Sequence, residues 1–270
     1  MKLKANFHTH TTFCDGASTP REMAQAALAL GFDTLGFSGH MDMDVHMDLP
    51  AYLAALDAVK SEFQGRLSIL KGIELDVLYD PACAAGLDYV IGSTHFLDVP
   101  YERTLSVDST AEDLALLCDT FFGGDYYALS RDYYRLEATV FDRTHCTFVG
   151  HFDLVTKFNA RLHAWDETSP RYLGPALEAM EYLVSRGVPF EINTKQCHLG
   201  KLCPGPVLLR SLRDMGGELL ISSDAHRAAD LNRGFDMALQ AARAAGFDHV
   251  NVLSPAGGKT ILRPVGIGDE

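Results

Sequence analysis

Short apolar, β-rich runs alternate along the chain with longer stretches of helical periodicity. Val, Ile, Leu and Phe concentrate at residues 3–8, 34–38, 68–75, 89–93, 147–151, 188–193, 219–223 and 249–253, which predicts eight strands. Between them, apolar positions recurring every three to four residues predict helices over about 50–63, 110–121, 126–141, 170–186, 206–215 and 231–245. A further helix opens at Thr19-Pro20-Arg21-Glu22, with Thr19 as N-cap, Pro20 at the first helical position and Glu22 placed to close a capping box. Three times a Gly-apolar-Asp step leads into a strand: Gly31-Phe32-Asp33, Gly86-Leu87-Asp88 and Gly246-Phe247-Asp248. Each glycine suits the left-handed position that ends a helix. Residues 96–108 have weak periodicity and predict a long loop, a candidate lid.

Strand–helix alternation over the whole length predicts a parallel α/β architecture. No Pro/Ser/Gly tract or charge block divides the 270 residues, so one domain spanning 1–270 is expected. The choice between an open sheet and a barrel comes from the strand ends. Six of the eleven histidines close apolar runs: His8 and His10, His40, His95, His151 and His226. Glu74 closes another, Leu70-Lys71-Gly72-Ile73-Glu74, and Asp224 stands two residues before His226. Side chains at so many strand ends can meet only if the strands converge, which favours a barrel with its chemistry at the C-terminal mouth.

Residues two apart in a strand share a face, so His8 with His10 and Asp224 with His226 each present a pair. One such histidine alone is better explained by a structural hydrogen bond. The whole set is not, because imidazoles and carboxylates crowded together in a protein interior require cations. The set contains nitrogen and oxygen donors without thiolate and suits zinc, manganese or iron. His46, His145, His163, His198 and His249 lack this context, and Cys14 reads as a small buried side chain.

A net charge of -13 argues against a nucleic-acid surface. It leaves an anionic small molecule open as substrate, since bound divalent cations reverse the local field. No apolar run reaches about 18 residues and no charged-then-apolar leader opens the chain, so neither a membrane span nor a signal peptide is expected. The six scattered cysteines read as reduced thiols of a cytoplasmic protein. Nothing in the pattern sets an oligomeric state.

The order His8/His10, Asp15, His40, Glu74, His95, His151, Asp224/His226 resembles the motif order of the PHP (polymerase and histidinol phosphatase) superfamily over nearly the whole chain. The stretches Gly36-Phe37-Ser38, Leu70-Lys71-Gly72-Ile73-Glu74, residues 89–96, Gly150-His151-Phe152-Asp153-Leu154 and Glu191-Ile192-Asn193-Thr194 most resemble its monofunctional histidinol-phosphate phosphatases. The resemblance implies a distorted (β/α)7 TIM-like barrel with three divalent metal ions. Carried over by motif, one ion takes His8, His10, Glu74 and Asp224. Glu74 bridges to a second, with His95 and His151, and the third takes Asp15, His40 and His226. The implied reaction is hydrolysis of L-histidinol phosphate to L-histidinol and phosphate, with metal-bound hydroxide as nucleophile and Glu74, Asp224 and His226 as the catalytic residues.

Relatives often continue Asn-Thr with small residues and a later basic one, whereas Lys195-Gln196-Cys197-His198 follows here. Lys157 and Lys195 are the candidates for binding the phosphate. Asp42 and Asp44 could face a cationic group of the substrate or belong to a solvated loop. The sequence also admits two other readings: another PHP-type phosphoesterase (a nucleotide or phosphoprotein phosphatase, or a nuclease), and a non-catalytic metal-stabilised domain. The acidic surface disfavours the nuclease, and the nine filled ligand positions disfavour the non-catalytic domain.

Overall fold

The computed structural model describes residues 2–100 and 105–268. Nine strands form one sheet in sequence order: β1 (Ala5–Asn6), β2 (Thr34–Met41), β3 (Ser68–Asp76), β4 (Tyr89–Ser93), β5 (Phe148–Val149), β6 (Phe190–Asn193), β7 (Leu219–Ser222), β8 (His249–Ala256) and β9 (Lys259–Gly266). Strands β1 to β8 pair in parallel, and β9 returns antiparallel on β8. Just beyond β1, Thr9 bridges Ala225 in the parallel sense, with His10 N donating to Ala225 O at 2.9 Å and Ala225 N to His8 O at 3.2 Å. These bonds join the first strand to the exit of the seventh and close a seven-membered ring at the ligand end. Further down, β8 takes over the β7 edge through Leu220 and Asn251.

Helices α1 (Pro20–Ala29), α2 (Leu49–Glu62), α3 (Ala111–Phe122), α4 (Tyr126–Glu137), α5 (Val140–Thr144), α6 (Asn159–Leu162), α7 (Pro170–Ser185), α8 (Pro206–Asp214) and α9 (Phe235–Ala245) connect the strands. The Thr19 capping box forms: the Thr19 side chain accepts from Glu22 N, and Thr19 N donates to Glu22 Oε2 at 2.8 Å. The helix expected over 126–141 is instead two, α4 and α5. The break lets Val140 pack over Gly92 of β4, where an added Cβ would lie 2.7 Å from Val140 Cγ2. The ninth strand was not anticipated. It follows Gly257-Gly258, both with positive φ, and this two-residue turn pairs Ala256 with Lys259.

Phe7, Leu70, Tyr89, Ile91, Phe148, Leu220 and Leu253 form a buried cluster inside the barrel. The Tyr89 hydroxyl donates to Phe7 O at 2.6 Å. Its ring crosses Gly36 and Gly72, where an added Cβ would come within 2.5 Å of Tyr89 atoms. Glycine at these two positions leaves room for the plug that floors the site. Along β3, Leu70, Gly72 and Glu74 share a face, so the strand passes from apolar floor to carboxylate in four residues.

Above β4, Phe96 pairs antiparallel with Ser106, and Val107 N donates to His95 O at 2.8 Å. The described part of the expected loop is thus tied to the strand end beneath it, while 101–104 lie outside the described residues. No helix among the described residues is long and apolar enough to cross a membrane.

Candidate metal centre

All nine side chains singled out as ligands converge at the C-terminal end of the ring. His8 and His10 follow β1, and His40 and Glu74 lie in β2 and β3, paired in register. His95 and His151 follow β4 and β5, while Asp224 and His226 follow β7. Asp15 comes from the turn after β1, where Cys14 N and Gly16 N both donate to Thr11 O. Asp224 has φ of +50°, an uncommon conformation for a non-glycine residue that is concentrated at functional sites.

Glu74 is the hub. Its Oε1 lies 2.7 Å from His151 Nε2 and 3.2 Å from His95 Nε2, and accepts from Ser93 Oγ at 2.8 Å. Its Oε2 lies 3.1 Å from His8 Nε2, 3.2 Å from His40 Nδ1 and 3.4 Å from His10 Nε2. Asp224 Oδ1 sits 3.1 Å from His10 Nε2 and 3.4 Å from His226 Nδ1. Asp15 Oδ2 sits 2.9 Å from His226 Nε2 and 3.8 Å from His40 Nε2. Potential ligand atoms gather in overlapping groups: His8, His10 and Glu74; His8, His151 and Asp224; His40, Glu74 and His95; and His10, Asp15, His40 and His226.

The donor set fits cations on its own geometry. His8 Nε2, His10 Nε2, His40 Nδ1 and Glu74 Oε2 are buried and make no hydrogen bond among the described residues, although they face one another. Buried polar atoms are rarely left in that state without an ion or water to satisfy them. The electrostatics agree. Burial would raise the Glu74 carboxyl, yet His8, His40 and His95 hold it well below the usual carboxylate range. Burial likewise opposes ionisation of Asp224, and Lys195 and His8 overcome it. His10 goes the other way, lowered first by burial and then by its neighbours His40 and His226.

Outside this ring stand side chains absent from the expected set. Glu191 Oε1 lies 2.8 Å from His8 Nδ1. Asp76 Oδ2 accepts from His95 N at 2.8 Å and faces its Nδ1 at 3.3 Å. Asp42 is buried, accepts from Asp44 N and Val45 N, and faces His40 Nδ1 at 3.3 Å. Asp42 is therefore not a solvated loop residue: its carboxylate is held by its own turn and by His40, at the wall of the mouth cavity. The signal for Glu191 and Asp76 was a charged residue on the inward face of an otherwise apolar strand.

The two lysines differ in setting. Lys195 Nζ reaches the cluster, donating to Asp224 Oδ1 at 3.2 Å and lying 3.3 Å from His226 Nε2. Lys157 Nζ donates to Asp108 O and Oδ2. Both lysines line a mouth cavity of about 290 Å³, with Asp44, Asp108, Asn193 and Gln196 also in its wall. His198 is exposed, outside that lining. His249 opens β8 and contacts Asp248 and Glu218.

A family model described as the PHP domain matches residues 6–195. A protein of Deinococcus radiodurans named "Probable histidinol-phosphatase" is 32% identical, over 94% of this chain and 94% of its own length. The histidinol-phosphatase of Bacillus subtilis is 25% identical, over 88% of this chain and 98% of its own. The histidinol phosphate phosphatase of Lactococcus lactis, solved with zinc, L-histidinol and phosphate, shares the fold with a TM-score of 0.69 at 21% identity, covering 97% of this chain and 100% of that one. With a barrel mouth lined by imidazole and carboxylate, a family model matching most of its length and a relative alike from end to end, the chain belongs to the PHP domain family.

Proposed function

We propose that this protein is a metal-dependent phosphomonoesterase that hydrolyses L-histidinol phosphate to L-histidinol and phosphate. The observation that carries the reading is Glu74, one buried carboxylate with His8, His10, His40, His95 and His151 around its two oxygens. Its place is a family whose full-length relatives in Deinococcus radiodurans and Bacillus subtilis carry histidinol-phosphatase names. In our assignment, the centre would take three divalent ions of zinc, manganese or iron. His8, His10, Glu74 and Asp224 would hold one, Glu74, His95 and His151 a second, and Asp15, His40 and His226 the third. We assign residues 1–270 to one domain and the protein to the cytoplasm.

Hydrolysis adds water across the ester: the water oxygen bonds to phosphorus, the P–O bond to histidinol breaks, and the leaving oxygen takes a proton. Bound divalent ions supply the positive charge a phosphate dianion requires and make water nucleophilic near neutral pH. The protein's part is to place that chemistry. Glu74, Asp224 and His226 form the catalytic group, whose ionised carboxylates orient the attacking water. Lys195, beside Asp224, offers an ammonium to a phosphate oxygen. Lys157 is the second phosphate contact, and reaches that role by exchanging Asp108 for phosphate. Asp44 and Asp108 in the cavity wall suit a substrate with a cationic body.

Steady-state kinetics on one metal-loaded preparation test the assignment. Histidinol phosphate should exceed p-nitrophenyl phosphate and nucleoside monophosphates in kcat/KM by at least about a hundredfold, roughly 2.7 kcal/mol of differential transition-state binding. Comparable values across the three would leave a phosphatase of another specificity. No phosphate release from any of them would remove the enzymatic reading.

A further inference from the structure

Strand β6 supplies none of the nine ligand side chains, although it sits between β5 and β7, whose exits supply three of them. Its inward residues are nevertheless polar: Glu191, Asn193 and, just past the strand, Lys195. Glu191 is fully buried, and each of its oxygens is occupied. Oε2 accepts from His151 N at 3.0 Å and from Asn193 Nδ2 at 3.0 Å, while Oε1 lies 2.8 Å from His8 Nδ1. Asn193 Nδ2 also reaches Asp224 Oδ2 at 3.2 Å. Through two side chains, β6 touches residues from β1, β5 and β7.

We infer that Glu191 is a positioning residue of the metal centre, one that fixes His8 as the tautomer protonated on Nδ1 and pins His151 beside it. The inference rests on the metal-dependent reading above. A carboxylate is an acceptor only. With Oε2 taken by two N–H donors, the His8 Nδ1 contact is satisfied when the imidazole donates. The ring proton then sits on Nδ1, and the Nε2 lone pair faces Glu74 Oε2 at 3.1 Å and Asp224 Oδ1 at 3.8 Å, where a cation is to be held. An outer carboxylate of this kind fixes ring orientation and makes the ligand nitrogen more basic.

Replacing Glu191 by glutamine keeps the shape and spoils the pattern. With the amide oxygen toward His151 N, its NH2 faces His8 Nδ1. That demands a proton on His8 Nε2 and removes the ligand lone pair. Turned over, the NH2 meets the donors His151 N and Asn193 Nδ2. Neither orientation satisfies all partners.

The test is zinc affinity by chelator competition, with folding checked by circular dichroism and melting of the chelator-stripped protein. Glu191→Gln should bind zinc about 10–100-fold more weakly, with the metal-free circular dichroism spectrum of the parent and a somewhat lower melting temperature, since one buried partner is left unsatisfied. Glu191→Asp, which retains the charge, should recover part of that loss. Zinc affinity equal to the parent's in a folded Glu191→Gln would overturn the inference. An independent readout needs no variant: in cadmium-113-loaded protein with nitrogen-15 histidine, His8 should show a protonated Nδ1 and metal coupling through Nε2. Coupling through Nδ1 would overturn the inference even if Glu191→Gln failed to fold. None of these readouts involves substrate, so they separate a wrong role for Glu191 from a wrong substrate.

Discussion

The Lys157 ammonium rests on Asp108, donating to its Oδ2 at 3.0 Å and to its backbone carbonyl at 2.6 Å. Asp108 ends the loop that returns over His95, and Ser106 Oγ donates to its other oxygen. Burial would raise the Asp108 carboxyl, but Lys157 and His95 hold it well below the usual range. A phosphate oxygen entering the cavity must therefore compete with Asp108 for this ammonium. Lys157→Ala should weaken inhibition by product phosphate and lower kcat/KM, by about 1.5–3 kcal/mol for a charge-assisted contact. Asp108→Asn should do the reverse to phosphate inhibition, because the lysine loses its resident partner. Phosphate inhibition constants for the two variants decide the matter. Values that move together, or not at all, would leave Lys157 a loop tether.

Glu74 makes a sharper demand. Its two oxygens face different histidines, so the change to glutamine removes charge from two coordination spheres and places an NH2 among imidazole nitrogens. Glu74→Gln should lose bound metal together with rate, by well over tenfold in metal affinity. Elemental analysis of the purified variant is the measurement. Full metal content with lost activity would confine Glu74 to the chemistry and end its bridging role.

The ring of strands was readable because strands buried on both faces appear as nearly unbroken apolar runs, and the helices between them stop at glycines. The ligand residues were readable for a related reason: a histidine or carboxylate ending such a run has no apolar explanation. Strand β9 escaped notice because it is an edge, half-exposed along its length and carrying Pro264, although the Gly257-Gly258 turn announced a hairpin. The division between α4 and α5 left no mark, since the apolar periodicity continues across it. Partners such as Glu191 for His8 and Asp108 for Lys157 are separated by 183 and 49 positions, and only the closed barrel brings them together. The committed state of Asp42 was hidden likewise, because it depends on how the turn after β2 folds back on His40.

Glu137, the last residue of α4, connects this packing to pH. It is fully buried, and neither carboxyl oxygen has a hydrogen-bond partner among the described residues. Burial pushes its carboxyl up to about 8, with the carboxylates of Asp76 and Asp153 pushing the same way and the Thr94 hydroxyl and His95 opposing them. In the unfolded chain it titrates near 4.5. Between these values the folded protein holds a proton that the unfolded chain has released. Since stability changes with pH in proportion to protons bound unfolded minus folded, this group makes stability fall as pH rises from about 4.5 to 8. Above that window both states are ionised and the loss levels off. Glu137→Gln keeps the shape without the charge, so it should abolish this component. In chelator-stripped protein, the variant should match or fall slightly below the parent near pH 5. By pH 8.5 it should exceed the parent by an amount on the order of a few kcal/mol. Denaturant titration of both proteins across pH 5–9 isolates the effect, because the titrating metal ligands are common to both. Parallel stability profiles for parent and variant would mean that Glu137 is not held protonated in the folded barrel.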